Sequence, residues 1–265
     1  DIEIGENVKV ANCVRVAGFI PNVETASKTN TLENCSNSGN IIVKSTQSLY
    51  SPGVCRIGGI FAQWQNGIVK FIGTVKNSGN ISFAGNQTQN IGTSLGGIIG
   101  GSDDKVGTVH ADSNCVISNE GTISYTGTTA GKVFVGGIAA FVSKITLPNT
   151  LKFINTGDIN VTGTCGKGLE KDCDISGIIG NLVAPIDGAQ CFCNIYAPKY
   201  NEARVGMITS KTRSTTILVC SRVRLVRQPN STQMLRLAVQ SVKIKPRTRL
   251  RHLMARSIQP IQTIS

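Results

Sequence analysis

The chain predicts an all-β fold, a repetitive β-solenoid (β-helix-like) of about four to five ~40-residue units followed by an irregular basic C-terminal tail. Three observations carry this. A phrase recurs as "NSGNIIV" from Asn37, "NSGNISFAG" from Asn77, "NEGTISYTG" from Asn119 and "NTGDINVTG" from Asn155, returning after 40, 42 and 36 residues. A second phrase travels with it: "GGIF" at Gly58, "GGIIGG" at Gly96, "GGIAAF" at Gly136, "SGIIGN" at Ser176 and, as a fifth copy, "VGMI" at Val205. Finally, apolar residues alternate with polar ones, and helical spacing finds no sustained match over residues 1–202.

Each unit reads as a turn, a strand, a variable loop, a second strand and a connector. The Asn-x-Gly opens the turn, with Gly expected at positive φ and Asn tolerant of the left-handed region. In the strand that follows, Ile41/Val43, Ile81/Phe83, Ile123/Tyr125 and Ile159/Val161 occupy alternate positions, so both members of each pair face the core. The next segment varies: from the Gly of the first phrase to the second Gly of the next takes 20, 18, 16 and 20 residues. The paired glycines before Ile60, Ile98 and Ile138 fit a close approach of neighbouring backbone, or a bulge. A unit that cannot cover its own apolar face is stabilised by stacking on its neighbours, which favours the solenoid. The alternative is a β-sandwich, which shares the short strands and Gly/Asn turns but has no reason to repeat near 40 residues.

The formal net charge of +12 is confined to one end. Residues 1–202 hold 14 Lys+Arg against 15 Asp+Glu, a net of −1, whereas residues 203–265 hold 13 Lys+Arg and no acid. Of 29 glycines, 28 precede the same boundary, while ten arginines follow it. The expected organisation is therefore a solenoid over 1–210 and a basic tail over 211–265. As a functional extension the tail would bind anionic polymer through counterion release. It has no Phe, Tyr or Trp for base stacking, which argues against nucleic acid as a partner. The reading favoured here is a change of coding frame near Ile208 to Arg213, leaving an irregular, disordered end, because several compositional shifts coincide inside a unit.

The opening "DIEIGENVKV" has no initiator Met or apolar h-region, so a longer parent protein with further domains is expected, with any export signal removed or outside this fragment. No run of about 18 apolar residues suggests a membrane span. No P-loop, dinucleotide fingerprint, nucleophile elbow or H-E-x-x-H occurs, and no cofactor is expected.

"NCSNSGNI" at Asn34 and "NCVISNEGTI" at Asn114, each followed later by "GGI", resemble the GLUG-type repeats of bacterial surface proteins, especially of gut Bacteroidales. The likeness covers about residues 30–208, without the "GLxG" form that names the motif and without Cys in the units at Lys76 and Ile154. It implies a secreted or outer-surface, β-rich stalk or binding module, with an extracellular glycan or surface protein as partner, and no catalytic residues to carry over.

Individual residues offer few sites. Cys13, Cys35 and Cys115 share an Asn-Cys context and are expected to stack as one column of buried thiols. Cys165 and Cys173 flank "TCGKGLEKDCD", where a disulfide would close a short loop in an oxidising compartment. Cys191 and Cys193 are expected to share a strand face, since a C-x-C supplies only half a zinc site. Glu170, Asp172 and Asp174 could offer oxygens to Ca²⁺, but the EF-hand spacing is missing and a solvated loop is the plainer reading. Asp103, Asp104 and Asp112, near His110, are the acids through which a β-helix enzyme could cleave polysaccharide, provided they converge with an acid such as Asp158 from a neighbouring coil. Trp64 would make a sugar platform if exposed, with core packing as its commoner fate. The function expected is a non-catalytic display, adhesion or glycan-contact module; the alternatives are the polysaccharide-cleaving enzyme and a polyanion binder acting through the tail.

Reading the nucleotide sequence across the codons for Val205 to Arg222 in all three frames tests the tail. A frame that restores Gly-rich repeat text is expected, and confirmation of the present frame would make the basic segment a genuine appendage.

Overall fold

The computed structural model describes residues 1–9, 14–24, 28–45, 48–49, 55–87, 92–102, 107–142, 145–146, 151–166, 173–182, 189–197, 204–207, 209–212 and 224–225. Among these, every strand pair is parallel. Adjacent parallel strands need long crossovers, and here each crossover is a full coil of the solenoid. The β-sandwich alternative is thereby overturned, since its sheets are built from antiparallel neighbours.

One coil runs Ile41–Val43, Ser48–Leu49, Cys55–Gly58, Phe61–Trp64, Gly67–Ile72 and Thr74–Asn77, then enters the next at Ile81–Phe83. Equivalent strands of successive coils pair in register. The longest sheet has seven strands, ordered Ile2–Ile4, Ile41–Val43, Ile81–Phe83, Ile123–Tyr125, Ile159–Val161, Asn194–Tyr196 and Arg224–Leu225. Its inward positions form the columns Ile41–Ile81–Ile123–Ile159–Ile195 and Val43–Phe83–Tyr125–Val161, all buried. The Phe83 and Tyr125 rings stack 5.6 Å apart and 4° from parallel, the geometry a coil-to-coil repeat imposes on like side chains. The alternation legible in the sequence is therefore the core pattern.

The asparagines of the first phrase form a second column, inside the wall. Asn37 Nδ2 donates to Asn77 Oδ1, Asn77 Nδ2 to Asn119 Oδ1 and Asn119 Nδ2 to Asn155 Oδ1, each at 2.8 Å. Every one of these amides also donates to the carbonyl of the glycine two residues on, at 2.8 to 3.0 Å. Asn77, Asn119 and Asn155 are fully buried. A buried amide is tolerated only when its donors and acceptor are engaged, and the neighbouring coils meet that condition for one another.

The glycines serve this arrangement by their size. Gly79, Gly121 and Gly157 do not take the positive φ expected of them. A Cβ at Gly121 would instead lie 1.9 Å from the Gly79 carbonyl oxygen. At the second phrase, a Cβ on Gly97 would lie 2.1 Å from the Gly137 oxygen and 2.4 Å from the Asn119 side chain, so this column closes over the asparagines.

Two features go beyond the sequence reading. An earlier coil precedes Asn37: Ile2–Ile4 pairs with Ile41–Val43, and Ala17-Gly18-Phe19-Ile20 stands where later coils have Gly-Gly-Ile. Its signal was present but degenerate. Strand Thr209–Thr212 pairs with Ile179–Leu182, and Arg224–Leu225 with Asn194 and Ile195, so paired strand lies on both sides of residue 210. Residues 213–223 and 226–265 are outside the described set.

Replacing Asn119 with Ala removes both its amide donors and its carbonyl acceptor, leaving the Asn77 amide and the Asn155 carbonyl each short of a partner. The expected loss is about 3 kcal/mol of unfolding free energy, read by denaturant titration with an unchanged m-value.

Candidate functional site

The segments that vary in length begin and end at fixed places on the stack. At one corner the chain departs at Leu49, Gln87, Thr129 and Cys165, which are paired neighbours in one sheet. It returns at Cys55, Gly92, Lys132 and Cys173, the first residues of strands in the adjoining sheet. The intervening segments are 50–54, 88–91, 130–131 and 166–172, so segments of different length share one edge. At a second corner the chain leaves near Val23, Trp64, Ser102 and Val142 and re-enters at Thr29, Gly67, Gly107 and Ile145, again in one sheet. Strand register fixes these exits; the sequence between them is free to differ.

Among the described residues, those singled out from the sequence do not gather into one site. Asp103, Asp104, Glu170, Asp172 and Cys13 lie outside the described residues. Asp112 is exposed at the bend before Cys115, its backbone N–H donating to Phe71 O at 3.3 Å, and His110 is exposed on the strand before it. Asp158 sits at a different corner, where its Oδ1 accepts from Asn194 N at 2.8 Å and Asn194 Nδ2 at 3.0 Å, so it positions the next coil. Trp64 is 2% exposed and cannot serve as a sugar platform, because its strand is covered on both faces.

Asp174 also departs from the loop reading. It belongs to strand Cys173–Ser176 and is 1% exposed, beside Phe134 in the register column Arg15–Arg56–Ser94–Phe134–Asp174–Arg204. The outward face of this column is roofed by the strands that follow the Gly-Gly corners. There Arg15 Nε donates to Gln63 Oε1, the Arg56 guanidinium lies 5.4 Å from the Phe141 ring centroid, and Phe134 packs on Phe141 at 5.4 Å. Sequence alternation missed this second interior, because the polar positions in Cys55-Arg56-Ile57 and Cys173-Asp174-Ile175 read as facing solvent, whereas these strands are buried on both faces.

The cysteines divide differently from the expectation. Cys35 and Cys115 do not share a column: Cys35 precedes Ser36, which pairs with Lys76, while Cys115 precedes Val116, which pairs with Thr74. Cys35 stands two residues before the ladder asparagine and Cys115 four, a spacing difference that outweighs the shared Asn-Cys context. Cys35 is half-buried, with its thiol 3.4 Å from Glu33 O. Burial pushes the Cys55 thiol up to about 12, and burial together with Asp112 raises Cys115 to about 11. Cys165 and Cys173 stand at the two ends of the 166–172 segment.

Cys191 and Cys193 are brought together. Cys191 is the register partner of Asn155, at the end of the asparagine column, and the two sulfurs are 3.1 Å apart. The Cys193 thiol and the Asn155 amide hold Cys191 below its ordinary pKa against the opposing effect of burial, while the nearby Cys191 sulfur and burial push Cys193 up. Among the described residues, no group of three or more His, Cys, Asp or Glu is placed to hold a metal ion. No described helix is long and apolar enough to cross a membrane.

No protein-family model, curated protein or solved structure matches this chain. The repetitive β-solenoid is therefore established by its own strand register.

Alkylation of the native protein in mildly alkaline buffer, followed by peptide mapping, should modify Cys35 and leave Cys55 and Cys115 unmodified until denaturant is added. Early labelling of Cys55 would contradict its burial.

Proposed function

We propose that this chain is a non-catalytic repeat module of the GLUG type, secreted or held at a bacterial cell surface, which displays variable loops for adhesion or glycan contact. The observation that supports this most is the alignment of exits: segments 50–54, 88–91, 130–131 and 166–172 differ in length yet leave from one paired column. A scaffold whose register is fixed by its wall can change what it contacts without changing its fold. The partner is an extracellular glycan or a surface protein. Residues 211–265 have no part in this role, and the chain has no turnover of its own.

The test is binding of the full chain to an array of extracellular glycans and to host-type surface proteins, beside a variant whose segment 166–172 is replaced by Ala-Gly, the connection found at Ala130 and Gly131. Binding that is lost in the variant, with the β-rich circular dichroism retained, is the expected outcome. Release of reducing ends from any bound polysaccharide would instead favour the enzyme, and binding removed only by deleting 211–265 would favour the polyanion reading.

A further inference from the structure

The fifth copy of the first phrase is written "CFCNI" from Cys191. Strand pairing aligns Asn155 with Cys191 and Ile159 with Ile195, so Cys191 stands for the ladder asparagine and Cys193 for the glycine of Asn-x-Gly. The backbone turn is preserved: Phe192 N donates to Asn155 O at 2.8 Å, as Thr156 N does to Asn119 O at 2.9 Å. Only the clamp across the turn has changed. In earlier coils it is the asparagine amide on the carbonyl two residues on, at 2.8 to 3.0 Å. Here it is a contact of 3.1 Å between two buried sulfurs.

We propose that Cys191 and Cys193 form a reversible dithiol–disulfide site that closes the last Asn-x-Gly-type turn covalently. Bond formation requires the sulfurs to approach by about 1 Å from their present contact. The oxidant is an external disulfide, of the small-molecule or protein class. Cys191 attacks one of its sulfurs, forming a mixed disulfide and expelling one thiolate. Cys193 then attacks the Cys191 sulfur and expels the second. Both cysteine protons end on the two departing thiols, and two electrons pass from the cysteine pair to the external disulfide. Three features suit this chemistry. Cys191 is the register partner of Asn155, and the Cys193 thiol, with a smaller contribution from the Asn155 amide, lowers the Cys191 pKa, supporting a thiolate there as nucleophile and leaving group. Among the described residues, the strand Ala189–Cys191 is terminal in its five-stranded sheet. Phe192, between the two cysteines, is 46% exposed, so exchange requires only an edge turn to open.

The experiment equilibrates the full chain in a series of reduced and oxidised glutathione mixtures, quenches with an alkylating reagent and maps the peptide spanning 189–197. The expected result is a single two-electron transition in which that peptide loses two hydrogens, with neither cysteine carrying a stable glutathione adduct. In Cys193→Ser the transition should vanish and a glutathione adduct should accumulate on Cys191. The double variant Cys191→Asn with Cys193→Gly restores Asn-x-Gly; it should keep the β-rich spectrum of the parent and lose the transition. The proposal is overturned if both cysteines stay alkylatable across the series, if either pairs with another cysteine, or if the native pair is blocked by stoichiometric metal that a chelator removes.

Discussion

The in-register stacking of buried asparagines is the constraint on which the rest of the wall depends. An isolated amide at the position of Asn77 or Asn119 would be costly to bury, because nothing in an apolar interior can match its donors and its acceptor. Stacking solves this only if each coil presents the same residue at the same height. The hydrogen bonds therefore span 40, 42 and 36 residues, the repeat distances themselves. A slip of one residue would turn each amide to the opposite face and break two hydrogen bonds per coil. The ladder sets register more strictly than the Ile and Val columns beside it, which tolerate exchange among apolar side chains.

From that register the other features follow. The glycine columns sit where coils approach too closely for a Cβ, over the ladder at Gly97 and beside the next turn at Gly121. The aromatic pair Phe83 and Tyr125 stacks because equivalent positions are superposed from coil to coil, and the Tyr125 hydroxyl is satisfied by Thr129 Oγ1 at 2.9 Å and the Thr164 carbonyl at 2.5 Å. Length variation is excluded from the wall and pushed to the corners. This is the physical link between the fold and a display role: rigidity in one set of positions permits variation in the other.

The two ends of the ladder are chemically unlike. Asn37 is the first asparagine and lies on the terminal strand of its sheet, whereas the last amide, on Asn155, meets sulfur. The substitution of Cys191 and Cys193 for Asn and Gly keeps an interaction across the turn but replaces a hydrogen bond, always made in the folded state, with a contact whose strength depends on redox conditions. The outer interior around Arg56, Phe134, Phe141 and Asp174 is a separate solution, in which the strands after the Gly-Gly corners fold over charged and aromatic residues that alternation alone would have sent to solvent.

The sequence by itself determined the repeat, the inward face of the strand after each Asn-x-Gly, the turns and the variable segments, because these are local patterns that recur at fixed spacing in Ile41/Val43, Asn77-Ser78-Gly79 and Gly96-Gly97. It also holds two degenerate signals, the first coil at Ala17 to Ile20 and the spacing that makes Cys191 the successor of Asn155. Only the tertiary structure decided which glycines answer to close approach and not to positive φ, that Trp64 and Asp174 are buried, that Cys35 and Cys115 belong to different columns, and that the two sulfurs at the ladder's end touch. Each of these depends on what the neighbouring coil places against a residue, some 40 positions away in the chain, and no local pattern of apolar and polar residues encodes that contact.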